Sequence, residues 1–180
     1  MAENTKLVAA VDLKSKWNED RFVEGLNFVK HLTGIKELRE EQEKALRSFI
    51  KGEDLYFSAP TGYGKSFIFQ ALPLIVDHLL ELAICTSTVL VISPLQSLMF
   101  DQVTKLNKIG ITAAAIFPEQ EESILKDIES GDIYSLVFTS PESILTSHRW
   151  RKLLTSESFA SSCVAVVFDE AHIIVQWSVI

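Results

Sequence analysis

Short apolar runs alternate along this chain with longer segments in which apolar residues recur at helical spacing. The short runs predict strands at residues 55–57, 88–93, 111–116, 134–139 and 164–168. The spaced segments predict helices over residues 22–32, 39–50, 67–82, 95–107 and 119–129, and another that begins near Pro141. Strands that alternate with helices imply βαβ units, so we predict an α/β fold with a parallel sheet flanked by helices on both faces.

Glycine and proline positions refine these boundaries. Gly34 stands where the first helix would end, and Gly52 follows the second. Pro73 predicts a break or kink in the third helix. Residues 1–18 are polar with scattered apolar positions, and we expect a loose N-terminal leader there, with one domain over residues 19–180.

Composition places the chain among ordinary globular domains. Its 180 residues are 47% hydrophobic and 23% charged, which suits a single domain that buries about 70% of its unfolded surface. Cys85 and Cys163 lie in apolar surroundings without metal-type spacing, so we expect reduced packing residues. No apolar segment is long enough to cross a membrane, and the N-terminus lacks the form of a signal peptide. These observations favour an intracellular protein.

The segment Ala59-Pro-Thr-Gly-Tyr-Gly-Lys-Ser66 carries the most definite chemistry. Its two glycines let backbone amides turn towards phosphate oxygens, and the helix that follows adds its positive N-terminus. Lys65 would reach the outer phosphates, and the Ser66 hydroxyl would bind Mg²⁺. The predicted nucleotide-contacting residues of this loop are Thr61, Gly62, Tyr63, Gly64, Lys65 and Ser66. The alternative is a plain turn between strand and helix, since Ala59 replaces the usual first glycine.

A second candidate site follows the last predicted strand. The continuous apolar run Cys163–Phe168 ends in Asp169-Glu-Ala-His172. An apolar run of this kind suits the centre of a parallel sheet, and open α/β sheets bind ligands at the carboxyl ends of their strands. Asp169 would hold Mg²⁺ through water, and Glu170 would polarise the attacking water. The alternative is that the two acids only cap the next helix.

These motifs resemble those of superfamily 2 helicases. Asp169-Glu-Ala-His172 looks like the DEAH form of motif II, and motif I of that superfamily commonly begins with Ala, as Ala59 does here. Leu38-Arg-Glu-Glu-Gln42 is similar to the adenine-reading motif of RecQ-like DNA helicases. With the predicted parallel sheet, the resemblance implies a RecA-like P-loop lobe.

Further motifs follow in the order of the same family. Residues 93–102 resemble motif Ia, and residues 110–114 and 139–142 fall in the expected order. Gln176-Trp177 resembles the start of the aromatic-rich loop that follows motif II in RecQ proteins. The resemblance covers roughly residues 20–177.

The resemblance implies a role for each matching residue. Gln42 would pair with the adenine edge and select ATP over GTP, and Arg39 would support the base or remain a surface charge. His172 would couple the nucleotide state to a second lobe, with a core-packing histidine as the alternative. The residues implied at the DNA backbone are Ser93, Gln96, Thr139, Ser140, Gln176 and Trp177, although isolated Ser and Thr residues usually cap helices.

Other aromatic residues receive no functional role. Phe67, Phe69 and Phe100 are expected in the core. Trp150 is expected at a surface helix end rather than in a base-stacking site, although arginines flank it.

Net charge and the C-terminus limit what this chain would do alone. A formal net charge of −7 argues against tight binding of nucleic acid through bulk charge. The resemblance implies a second RecA-like lobe that supplies an arginine worth about 10³–10⁵ in rate in other phosphoryl-transfer systems. Because Ser178-Val-Ile180 departs from the family continuation, we expect an N-terminal lobe truncated within the aromatic-rich loop.

The resulting hypothesis is the ATP-binding lobe of a RecQ-type 3′-to-5′ DNA helicase that acts in DNA repair and recombination in the nucleus. Its cofactors would be ATP and Mg²⁺, and its partners DNA and the second lobe, with no membrane involved. The lobe alone should bind ATP weakly, hydrolyse it very slowly and unwind nothing. The alternatives are an inactive helicase-derived module that binds nucleotide or nucleic acid, and an RNA helicase of the same superfamily.

Overall fold

A parallel sheet of four strands forms the centre of the molecule in a computed structural model that describes residues 13–117, 122–130 and 134–170. The strands are β1 (Thr88–Ile92), β2 (Ala113–Ile116), β3 (Leu136–Thr139) and β4 (Cys163–Phe168). Their order in the sheet is β2-β3-β1-β4, and every neighbouring pair is parallel. The predicted α/β fold with a parallel sheet is therefore confirmed.

Helices occupy most of the remaining described chain. Their bounds are α1 (Glu19–Thr33), α2 (Glu40–Ile50), α3 (Lys65–Leu80), α4 (Gln96–Lys108), α5 (Glu122–Ser130), α6 (Pro141–Thr146), α7 (His148–Leu154) and α8 (Glu157–Ser162). The Asn18 side chain caps α1 by accepting the Arg21 N–H at 3.0 Å. Gly34 ends this helix with φ 71°, as the sequence predicts.

Alternate residues of the sheet face two separate cores. On one face Val89, Val91 and Phe138 pack with apolar residues of α1 to α4. On the other face Leu90 and Val137 pack with residues of α5, α7 and α8. The sheet is thus covered on both faces, and the candidate acidic pair follows the carboxyl end of its strand β4.

Helix α3 continues through Pro73, so the prediction of a break or kink there is wrong. The missing N–H and the ring clash of an internal proline cost about 3 kcal/mol. Leu72, Leu74 and Ile75 beside it are at most 2% exposed. Packing of this apolar helix against the sheet and α1 offsets the local cost.

The prediction of a buried strand at residues 55–57 is also wrong. These residues form no ladder with the sheet, and Tyr56 is 80% exposed. Phe57 alone packs against the core, with its ring 6.1 Å from that of Tyr63. A short apolar run indicates that a side chain is buried, but it does not require a strand. Here only Phe57 packs against the core, and the segment pairs with no strand.

Strand β4 lies at an edge of the described sheet rather than at its centre, contrary to the expectation from its apolar run. It pairs with β1 on one side, and no other described strand lies on the far side. Val166 and Phe168 are consequently 53% and 50% exposed. An apolar run reports the tendency of side chains to be buried, and it does not fix the position of a strand in the sheet.

Two further expectations need correction. Residues 1–12 of the expected leader (1–18) lie outside the described residues, and the rest packs on the domain: Leu13 is 9% exposed, and the Trp17 ring lies 5.2 Å from that of Phe22. Trp150 belongs to the second core and is 7% exposed, because α7 turns it towards the sheet rather than towards solvent. Phe67 and Phe69 are buried as expected, whereas Phe100 is 62% exposed on α4.

Two smaller findings complete the description. Cys85 and Cys163 are both free thiols. Among the described residues, none of the helices has the length and apolar character needed to cross a membrane.

Candidate nucleotide site

The loop before α3 has the backbone form that its glycines predict. Gly62 and Gly64 have φ 79° and 87°, a left-handed region that costs other residues energy. The Tyr63 N–H donates to the Pro60 carbonyl at 3.2 Å and closes the turn. Gly64 is the N-cap residue of α3, so the loop leads directly into the positive end of that helix.

Lys65 is folded back onto this loop. Its Nζ donates to the Ala59 carbonyl at 2.8 Å and to the Pro60 carbonyl at 3.2 Å. The ammonium is thus held against the loop before α3, although Lys65 itself is the first residue of that helix. Ser66 follows it and is half-buried, and Thr61 is exposed at the tip of the loop.

Gln42 of α2 packs directly against the loop. Its Oε1 accepts the Arg39 N–H at 2.9 Å, and its Nε2 donates to the Gly64 carbonyl at 3.0 Å. Gln42 is 6% exposed, and a Cβ added at residue 64 would lie only 2.7 Å from its Nε2. The residue predicted to read adenine therefore contacts the predicted phosphate loop.

Tyr63 connects the same two segments through its side chain. Its hydroxyl donates to Glu41 Oε2 at 2.7 Å, and the Arg39 guanidinium lies 4.3 Å from its ring centroid. The hydrogen bond from Tyr63 lowers the pKa of Glu41, and the same bond raises the pKa of Tyr63. The sequence did not single out Glu41, because its contact joins residues 22 positions apart and no local motif marks it.

The acidic pair lies at the carboxyl end of β4. The Asp169 N–H donates to the Ile92 carbonyl at 2.9 Å and so extends the pairing of β4 with β1. Burial raises the pKa of the half-buried Asp169, the neighbouring Glu170 raises it further, and the Lys65 ammonium opposes both. Glu170 is exposed and has φ 72°, a conformation that is uncommon outside glycine and recurs at functional sites.

Asp169 and Lys65 are thus close enough to interact electrostatically, although they are more than 100 positions apart in sequence. Among the described residues, no three His, Cys, Asp or Glu side chains gather into a metal cage. Any Mg²⁺ here would take most of its ligands from nucleotide and water, which is how this ion is usually bound.

The described residues predicted at the DNA backbone lie at or after the carboxyl ends of β1 and β3. Ser93, Thr139 and Ser140 are at most 4% exposed, whereas Gln96 is exposed in the first turn of α4. The Ser140 hydroxyl caps α6 by accepting the Ser143 N–H at 3.2 Å. Ser93 Oγ, in contrast, has no hydrogen-bond partner in the described part of the chain. The DNA role of these residues stays a prediction.

A cavity of about 510 Å³ adjoins these residues. Its walls include Gln96, Phe117, Ser140, Arg149 and Trp150. The sequence alone does not predict it, because its lining comes from three separate segments of the chain. Three further predicted site residues, His172, Gln176 and Trp177, lie outside the described residues.

Comparison with known proteins assigns this arrangement to a family. The family profile described as DEAD/DEAH box helicase matches residues 39–180. The chain belongs to the DEAD/DEAH box helicase family. The matched range contains Gln42, the phosphate loop and the acidic pair.

The curated relatives of this helicase chain are of RecQ type. The ATP-dependent DNA helicase RecQ of Haemophilus influenzae is 33% identical over 84% of this chain and 23% of its own length. ATP-dependent helicase wrn-1 of Caenorhabditis elegans is 35% identical over 86% of this chain and 14% of its own length. RecQ-like DNA helicase BLM of Xenopus laevis is 31% identical over 80% of this chain and 10% of its own length. The chain therefore spans less than a quarter of the length of these relatives.

A solved structure confirms the helicase fold. The DUF1998 helicase MrfA bound to DNA and AMPPNP has a TM-score of 0.65 to this chain at 24% identity. The match covers 88% of this chain and 21% of that one. The RecA-like architecture expected from the sequence is thus that of a helicase domain.

Proposed function

We propose that this chain is the ATP-binding lobe of an ATP-dependent 3′-to-5′ DNA helicase of RecQ type, with a role in DNA repair and recombination in the nucleus. The observation that carries the proposal is the proximity of Lys65 and Asp169: the Lys65 charge opposes the rise in the pKa of Asp169, so the phosphate loop and the acidic pair lie on the same side of the molecule. The family and the RecQ-type relatives support it. Strand polarity, pathway and nuclear location rest on resemblance alone.

The phosphate loop would hold the triphosphate. Amides of Thr61 to Gly64 and the N-terminus of α3 would surround the phosphates, and the Lys65 ammonium would exchange its two carbonyl partners for phosphate oxygens. This exchange keeps the ammonium hydrogen-bonded throughout and requires only a local movement of one side chain.

Gln42 would read the base. Its amide carries one acceptor and two donors, which match the N6 and N7 atoms of adenine. Guanine presents an acceptor where adenine presents a donor, so the same amide would favour ATP over GTP. Arg39, next to Gln42 at the start of α2, would contact the base from one side.

The hydroxyl of Ser66 and the carboxylate of Asp169 fit Mg²⁺, because both supply the oxygen ligands that this ion prefers. When bound, the ion would neutralise charge that develops on the phosphates. The raised pKa of Asp169 fits the same role, since a partly buried carboxylate beside Glu170 gains from a nearby cation. Glu170 would accept a proton from the attacking water and orient it.

DNA would lie across the carboxyl ends of β1 and β3, beside the cavity described above. The residues there are Ser93, Gln96, Thr139 and Ser140. Gln96 is exposed and free to reach a phosphate, and the cavity lies next to it. With an acidic net charge, this lobe alone should bind DNA weakly. A second RecA-like lobe, supplied by further sequence or by another chain, would complete the ATP site and the DNA path.

The decisive experiment measures Mg-ATP binding by the whole chain and by its Lys65→Ala variant. We expect weak binding by the wild type and at least a tenfold loss in the variant, because the ammonium contacts the phosphates. Lys126→Ala, an exposed lysine on α5, is the matched control and should bind as the wild type does. ATP turnover is expected to be very slow, with no strand separation.

Two results would contradict this proposal. One is wild-type binding of ATP that Lys65→Ala leaves unchanged. The other is brisk ATP turnover by the chain alone, which would show that no second lobe is required. Comparison of turnover with single-stranded DNA and with RNA separates the DNA helicase from the RNA helicase alternative.

A further inference from the structure

The Tyr63 side chain is held from three directions. The Phe57 ring lies 6.1 Å from its centroid, Glu41 accepts its hydroxyl at 2.7 Å, and the Arg39 guanidinium lies 4.3 Å from its centroid. The backbone of Tyr63 belongs to the phosphate loop, but its side chain contacts the start of α2. Its ring therefore leaves the phosphate side of the loop and joins the segment that contains Gln42.

These contacts fix the position of Arg39. A guanidinium group stacks with one planar face on an aromatic ring, and the attraction combines charge with flat contact. Arg39 as a whole remains exposed. Glu41 also attracts Arg39, because the Arg39 charge contributes to the lowered pKa of that carboxyl.

We propose that Tyr63 is a positioning residue for the nucleobase: together with Glu41 it holds the Arg39 guanidinium as a shelf on which a purine base stacks. The inference rests on the proposed function of the nucleotide site and adds to it a loop residue that acts on the base rather than on the phosphates. In this arrangement Arg39 lies between Tyr63 and the base, and the tilted Phe57 ring supports Tyr63 from the side.

The physical reason is preorganisation. An exposed arginine samples many rotamers, and ordering it when a ligand binds lowers the affinity. Here the tyrosine ring orders the guanidinium before the base arrives. Stacking on a flat delocalised cation does not depend on the edge of the base, so Tyr63 should raise the affinity for ATP and GTP equally. Discrimination between them stays with Gln42.

Calorimetric titration of the whole chain with Mg-ATP, Mg-GTP and Mg-tripolyphosphate tests this inference. Tyr63→Leu removes the aromatic face, and we expect about fivefold to tenfold weaker binding of both nucleotides. Tripolyphosphate lacks a base, so its binding should change by less than about twofold. Tyr63→Phe keeps the ring but not the Glu41 bond, and its loss should be smaller, about twofold to threefold.

Two variants complete the design. Tyr56→Leu changes an 80% exposed tyrosine seven positions away and should bind all three ligands as the wild type does. Glu41→Gln keeps an acceptor for the Tyr63 hydroxyl but removes the charge that attracts Arg39. It should reproduce the small loss of Tyr63→Phe, and it tests the inference even if Tyr63→Leu fails to fold, which melting temperature would reveal.

Distinct results would overturn the inference. Equal weakening of tripolyphosphate and ATP by Tyr63→Leu would show that the tyrosine shapes the loop for phosphates instead. Unchanged nucleotide affinity in both Tyr63→Leu and Glu41→Gln would show that the shelf contributes nothing. A wild-type chain that binds tripolyphosphate and ATP equally tightly would show that the base gains no contact at all. A wild type that binds none of the ligands would instead overturn the proposed function, and the inference with it.

Discussion

Gly64 is required for two separate reasons at the scale of a single residue. Its φ of 87° disfavours any side chain, and a Cβ there would lie 2.7 Å from Gln42 Nε2. Gly62 shares only the first reason: its φ is 79°, but nothing lies within 4 Å of the position of its Cβ. A comparison of substitutions at the two glycines therefore distinguishes the effect of backbone strain from the effect of the contact with α2.

We predict that Gly64→Ala damages ATP binding much more than Gly62→Ala does. Both variants pay the left-handed penalty of about 1–2 kcal/mol, but only Gly64→Ala must also displace the buried Gln42 amide. Calorimetric titration with Mg-ATP should show a loss at least about tenfold larger for Gly64→Ala than for Gly62→Ala. Equal losses would mean that strain alone governs the loop and that the packing of Gln42 against it is unimportant.

The candidate site was predictable from sequence only where a local motif defines it. The phosphate loop and Asp169-Glu170 are candidates from sequence because their proposed chemistry requires fixed residue types at fixed spacing. Glu41 and Phe57 are not, since their roles depend on Tyr63, which becomes their neighbour only after folding. Ser140 matched a motif, yet its hydroxyl caps a helix, and sequence cannot distinguish these two uses of a serine.

At the scale of elements, Asp77 joins the end of α3 to the start of β1. Its carboxylate is fully buried and accepts the N–H groups of Cys85 and Ser87 at 2.9 and 2.8 Å. These bonds fix the segment that leaves α3, the helix that begins with Lys65. One carboxylate at the far end of α3 therefore helps to set the register between the phosphate-loop helix and the sheet.

We predict that Asp77→Ala lowers the free energy of unfolding by about 2–4 kcal/mol, because it leaves two buried amides without an acceptor. Asp101→Ala, an exposed acid on α4, is the control and should change the free energy by less than about 0.5 kcal/mol. Urea denaturation followed by circular dichroism measures both. A loss in Asp77→Ala no larger than that in the control would contradict the role of Asp77.

The same residue predicts a pH dependence. Burial raises the pKa of Asp77 in the folded chain above its unfolded value of 3.8, against the opposing effect of its bonds to Ser87 and Cys85. The folded state then binds the proton more tightly. The stability that protonation contributes is full below 3.8 and is lost as pH rises through the folded pKa.

Asp77→Asn cannot titrate, so the stability of the wild type relative to this variant should fall as pH rises above 3.8 and then level off. Denaturation at a series of pH values from about 4 to 8 measures the difference. A difference that rises with pH would show that hydrogen bonds, rather than burial, dominate this carboxyl.

Elements with long periodic patterns were predictable, and two short features were not. The first two helices and their glycine ends follow from residues that act locally. Pro73 and residues 55–57 were misjudged because packing decides both: α3 is buried firmly enough to keep its proline, and the apolar run has no strand beside it. The edge position of β4 is likewise a property of the assembled sheet.

At the scale of the molecule, one edge of the described sheet is open. β4 presents unpaired backbone groups there, and Val166 and Phe168 add half-exposed apolar side chains. Exposed edges of this kind pair with other chains unless charge or cover protects them. Among the described residues no second strand pairs with β4, and the strand itself carries no charged side chain.

We therefore predict that the chain self-associates with rising concentration and that Val166→Lys suppresses the association. A lysine on an edge strand blocks strand pairing between molecules. Ile84→Lys is the control, because it adds the same charge at a 43% exposed residue outside the strands. Sedimentation velocity over a concentration series should show monomer for Val166→Lys only. Equal suppression by both variants would implicate net charge rather than the edge.

Lys65 also stabilises its own loop, through its two bonds to the carbonyls of Ala59 and Pro60. The ammonium closes the turn of its own loop through these bonds, and the proposed triphosphate would draw it away from both carbonyls. Removal of the amine thus removes both the proposed phosphate contact and two hydrogen bonds within the loop. The loss of affinity measured for Lys65→Ala will therefore exceed the contribution of the phosphate contact alone.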